Sequence, residues 1–77
     1  MEHIATRWIG GGTTIGIVLW KSEETGLLRA TIAAVSGFHY ERDQKHVMEY
    51  GTKLTFDEAK GFFPNILTDR TLYAVDK

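Results

Sequence analysis

Residues Arg7–Lys21, RWIGGGTTIGIVLWK, hold two apolar runs separated by three consecutive glycines and two threonines. β-Branched and aromatic side chains suit a pleated, half-buried surface, whereas glycine supplies positive φ at little steric cost and interrupts a strand. The stretch therefore reads as a β-hairpin whose loop is the glycine segment. Upstream, alternation puts Ile4, Thr6 and Trp8 on one face and Ala5, Arg7 and Ile9 on the other. Downstream, Thr13–Lys21 puts Ile15, Ile17 and Leu19 on one face and Gly16, Val18 and Trp20 on the other, the pattern of a central strand.

The sheet continues through Ser22-Glu23-Glu24-Thr25-Gly26, a polar turn ending in glycine, into Leu27–Val35. There Leu28, Ala30, Ile32 and Ala34 oppose Arg29 and Thr31, which predicts a three-stranded meander with one apolar face in need of cover. Ser36-Gly37 ends that run, and Asp43 is placed to cap a short helix reaching Tyr50, with Gly51 as its C′ residue.

A second helix starts at the capping box Thr55-Phe56-Asp57-Glu58, with Leu54 stapled onto Ala59 and with Phe56, Ala59 and Phe63 on one face. Pro64 stops it, because the residue before a proline is pushed out of helical geometry. Asn65–Arg70 is a connector, and Thr71–Val75 alternates as a C-terminal strand that pairs with its own sheet edge or crosses to a partner's. The expected fold is a single α+β domain over residues 1–77: a three-stranded antiparallel meander, two short helices and a C-terminal strand.

A chain of 77 residues has a core that supplies only about 3–5 kcal/mol unaided, so a homodimer or higher homo-oligomer is expected. With no cysteine, the chain lacks a disulfide framework, a thiolate metal site and a cysteine nucleophile. The first residues, MEHIATRW, do not read as a signal peptide, and no apolar run approaches the roughly 20 residues that cross a bilayer, which suggests a soluble cytoplasmic protein with no membrane partner. Nine Lys and Arg against ten Asp and Glu give a net charge of −1, which argues against binding a polyanion such as duplex DNA.

A small anion is a different matter, since one arginine and a few backbone N–H groups can hold a phosphate. Gly11, Gly12, Thr13 and Thr14 could form such a cradle, with Arg7 and Trp8 beside it. The segment fits neither the dinucleotide fingerprint, which needs glycine where Ile15 stands, nor the P-loop, whose Lys-[Ser/Thr] pair is missing, and turn chemistry alone favours a plain hairpin turn that needs no ligand. Phe38, His39 and Tyr40, followed by Arg42, offer a stacking surface with a phosphate partner, or anchor their loop on the core.

No metal site is expected from His39, His46 and Glu49, whose spacing matches no ligand motif. Ser22 and Ser36 lack a nucleophile-elbow context, and Glu23, Glu24, Asp57 and Glu58 are explained by a turn and a first helical turn, so neither an enzyme nor a cofactor is expected.

In element order, a glycine-rich meander followed by two short helices and a final strand, the chain resembles the small phage-encoded Thoeris anti-defence proteins, which sequester cyclic ADP-ribose-type signals. The resemblance lies in architecture, and no binding residue is carried over from it. It implies a viral sponge protein in the host cytosol, an oligomer that holds a phosphorylated nucleotide-type ligand near a subunit interface without consuming it. The alternative from the residues themselves is a protein-interaction or inhibitor module that works by its surface.

Overall fold

The computed structural model describes residues 1–10, 15–34, 51–68 and 73–74. They form β1 (Glu2–Gly10), β2 (Ile15–Lys21), β3 (Leu28–Ala34), β4 (Thr52–Lys53) and α1 (Phe56–Phe62). The strands make one antiparallel sheet in the order β1-β2-β3-β4. The three-stranded meander is thus extended by a fourth, two-residue strand that the sequence reading missed. The helix expected over residues 43–50 lies outside the described residues.

β2 is the apolar centre: Gly16, Ile17, Val18, Leu19 and Trp20 are all buried. Ile17 and Leu19 face a core shared with Ala30, Leu54, Ala59, Phe63, Leu67 and Tyr73. Each large side chain withdrawn from water there contributes about 1.5–3 kcal/mol. The expectation of a single apolar face needs correction, because Val18 and Trp20 are buried on the opposite face with Met1 and Ala33 against them. Thr31, read as solvent-facing, is fully buried there, where its Oγ1 accepts the Trp20 Nε1–H at 2.9 Å. A buried indole N–H needs an acceptor, and threonine supplies one on a strand without adding charge.

Strict alternation along β1 also gives way. The register pairs His3 with Trp20 and Ala5 with Leu19, leaving Ile4 as an extra residue, and a second irregularity falls between Trp8 and Gly10. The first bulge lets Ile4 and Ala5 both pack on the α1-side core. It also makes His3 and Thr6 neighbours, with a hydrogen bond of 2.6 Å between Nε2 and Oγ1. A bulge re-aims side chains in this way at the cost of a local ladder bond.

The β2–β3 turn follows its sequence signature. Gly26 has φ +74° and donates its N–H to Ser22 C=O at 2.9 Å, while Ser22 Oγ accepts the Thr25 N–H. Gly51, expected as a helix C′ residue, instead abuts β3: a Cβ there would stand 2.5 Å from the Ile32 carbonyl oxygen. Only glycine lets β4 approach so closely.

The capping box forms as read, with Glu58 N–H donating to Thr55 Oγ1 at 3.2 Å and Thr55 N–H donating to Glu58 Oε1 at 3.0 Å. α1 ends at Phe62, and the Phe63 N–H still reaches Ala59 C=O at 2.9 Å before Pro64. Beyond the connector the chain returns to its own sheet, where Tyr73 makes a parallel bridge with Leu28. Tyr73 OH donates to Leu54 C=O at 2.7 Å and accepts the Ala30 N–H at 3.0 Å. Its ring meets Phe56 edge to face with centroids 5.6 Å apart.

Three outcomes follow from this packing. Tyr73→Phe strips a buried donor and a buried acceptor of their partner, and urea denaturation should show a loss of about 1–3 kcal/mol. Alanine substitutions at two glycines should act in opposite directions on the melting temperature. Gly26→Ala meets no atom but forces positive φ on a Cβ, costing about 1–2 kcal/mol, whereas Gly61→Ala fills open space in a helix and stabilises by about 0.5–1 kcal/mol.

The third concerns pH. Backbone and side-chain hydrogen bonds from Thr55 hold the Glu58 carboxyl below its usual value. A depressed folded-state pKa gives stability that is fully present above the unfolded value, about 4.3, and is lost as pH falls through the lower folded value. Glu58→Gln keeps a cap acceptor but cannot titrate. Its stability deficit against the wild type, from denaturation at a series of pH values, should therefore be constant near neutrality and shrink in that acid window.

Candidate functional site

Of the candidate ligand residues, Arg7 and Trp8 lie among the described residues, toward the end of β1, and the register decides whether they can act together. Arg7 lies opposite Ile17, on the α1 side. There its Nη1 donates to the Phe62 carbonyl at 3.4 Å, and its guanidinium carbon stands 6.0 Å from the Phe62 ring centroid. A cation beside the last carbonyls of a helix is a stabilising arrangement, so Arg7 has structural work at the C-terminus of α1.

Trp8 lies opposite Gly16, on the other face of the sheet. A glycine across the strand leaves room for an indole to lie over the backbone, and Trp8 is 38% exposed. Arg7 and Trp8 therefore point to opposite sides of β1, and a small ligand touching both would have to wrap around that strand. Gly11, Gly12, Thr13, Thr14, Phe38, His39, Tyr40 and Arg42 lie outside the described residues.

Large apolar side chains are left exposed at this end, with Trp8 on one face of the sheet and Ile15 on the other. Ile9, at the second bulge, is 43% exposed, and Ile15, which opens β2, is 37% exposed. Ile15 leans over Gly10, where an added Cβ would lie 3.2 Å from its Cδ1. Three large apolar side chains thus stand half in water beside the glycine loop, past the part of β2 that is buried. The alternation of the hairpin arms shows which residues are apolar, but not that the sheet outruns its cover here.

The two tryptophans that flank the loop in sequence part company. Trp20 is 1% exposed, committed to Thr31 through its N–H and met edge-on by the His3 ring with centroids 5.8 Å apart. His3 carried no signal in the sequence. Its place over Trp20 comes from the bulge at Ile4, which no residue pattern announces.

Serine and acidic residues have local duties: Ser22 organises the β2–β3 turn, and Asp57 and Glu58 occupy the first turn of α1. Among the described residues, no three His, Asp or Glu side chains gather into a group that could hold a metal ion. Among the same residues, no helix is long and apolar enough to cross a membrane. Comparison with known proteins adds no identity: no family model, curated protein or solved structure matches this chain.

Proposed function

We propose that this protein is a non-catalytic interaction module that binds a protein partner, a second copy of itself included, through the apolar end of the β1–β2 hairpin. The observation that carries the reading is the exposure of Trp8, Ile9 and Ile15, between 37% and 43%, at one end of a hairpin whose second strand is buried from Gly16 to Trp20. Protein interfaces draw their energy from a few such aromatic and aliphatic anchors, which are withdrawn from water on binding. A small chain with a marginal core gains further from having that surface covered.

A second reading, sequestration of a phosphorylated nucleotide-type ligand between subunits, has one observation in its favour. Trp8 stands two residues before the glycine segment and is 38% exposed, so a base could stack on it while backbone N–H groups of the loop approach a phosphate. It ranks second because Arg7 is turned to the opposite face and engaged with Phe62. Under this reading the near-neutral net charge is no obstacle, since a small ligand needs few cations.

The double variant Trp8→Ser/Ile9→Ser separates these readings. In light scattering and pull-down it should lose association while retaining the wild-type circular dichroism and a stability within about 1 kcal/mol, as expected for exposed positions. Native mass spectrometry after incubation with mixed nucleotides reports the other outcome. A retained mass of a few hundred daltons in the wild type, lost on Trp8→Ser, would replace the interaction reading with the ligand reading.

A further inference from the structure

We propose that the groove between the outer edge of β3 and α1 is a strand-exchange site, which can take Tyr73 and Ala74 of a second copy of this chain in place of its own. This site lies apart from the hairpin end and does not depend on the reading given to it. Tyr73 is 4% exposed, and Ala30, Leu54 and Phe56 of the body of the fold hold it. Its hydroxyl bridges Ala30 N–H and Leu54 C=O, its ring meets Phe56, and the following Ala74 N–H donates to Leu28 C=O at 2.7 Å.

The body supplies a prepared edge. Among the described residues β4 pairs with Thr31 and Ile32, and the Leu54 N–H still reaches Ala30 C=O at 2.9 Å. The reciprocal bond, Ala30 N–H to Leu54 C=O, is replaced by the inserted tyrosine hydroxyl. One aromatic anchor combined with main-chain bonds to a sheet edge is the mode by which extended peptides add to sheets. These contacts are set by the geometry of the segment and are the same whichever copy provides it.

The segment that the groove is seen to accept is the chain's own, and this selects a second copy as the occupant. Among the described residues the backbone of the segment joins the sheet at Leu28, and a short attachment of this kind opens at lower cost than global unfolding. The tethered copy competes through its effective concentration, so exchange grows with protein concentration.

The test uses full-length Tyr73→Ala, whose groove is intact, and a fluorescent peptide with the sequence of residues 69–77, DRTLYAVDK. Fluorescence polarisation should show saturable binding to Tyr73→Ala and binding to the wild type weaker by roughly tenfold or more, since its own tail occupies the groove. The same peptide with its tyrosine changed to alanine should not bind. Failure of the parent peptide to bind folded Tyr73→Ala overturns the proposal.

Should that variant not fold, hydrogen exchange of the full-length wild type decides. Ala30 and Ala74 amides exchanging roughly tenfold or more faster than those of Ile17 and Leu19 establish separate release of the tail, and equal rates overturn the proposal. Neither readout involves Trp8 or Ile9, so loss of the hairpin-end interaction would leave both unchanged.

Discussion

The sheet and the helix meet through the backbone groups of Ala30 and Leu54. Leu54 N–H donates to Ala30 C=O, but the chain turns out of β4 toward Thr55 and the return bond is not made directly. Tyr73 OH fills the gap, accepting from Ala30 and donating to Leu54. A buried N–H or C=O left unpaired costs more than the bond itself is worth, so this hydroxyl lets β3 be buried next to the start of α1. The same three residues belong to the cluster that covers Ile17 and Leu19. Chain return, helix placement and core closure are thus one arrangement.

A second constraint acts on the other face. Trp20 is too large and too deeply buried to leave its N–H unsatisfied, and the β2–β3 register puts Thr31 within reach. The first β1 bulge then sets His3 against the indole. With both faces of β2 committed, the apolar side chains that stay in water along the hairpin are those at its open end. The functional proposal rests on that contrast between a satisfied centre and an uncovered end.

Much of the fold was legible in the residues. The two arms of Arg7–Lys21, the glycine-terminated turn at Ser22–Gly26 and the Thr55–Glu58 box are local signals, governed by propensity, positive φ and capping, and each has its expected form in the described residues where it can be seen. The candidate site was less legible. Arg7 and Trp8 are adjacent in sequence and suited to one ligand by chemistry, yet a strand sends successive side chains to opposite faces. Gly51 was legible as a required glycine but not for its reason, since both a helix end and a close strand approach demand the absence of Cβ.

By itself, the sequence determined the periodic apolar runs, the turn glycines, the helix start and the helix stop at Pro64, all of which depend on neighbours within a few positions. Only the tertiary structure decided the fourth strand, the burial of the second sheet face, the bulge that aligns His3 with Thr6, and the docking of Tyr73 on β3. Those features pair residues far apart in the chain, such as Tyr73 with Ala30 and Trp20 with Thr31. They follow from the need to satisfy buried polar groups and fill space, which becomes definite only when distant segments are brought together.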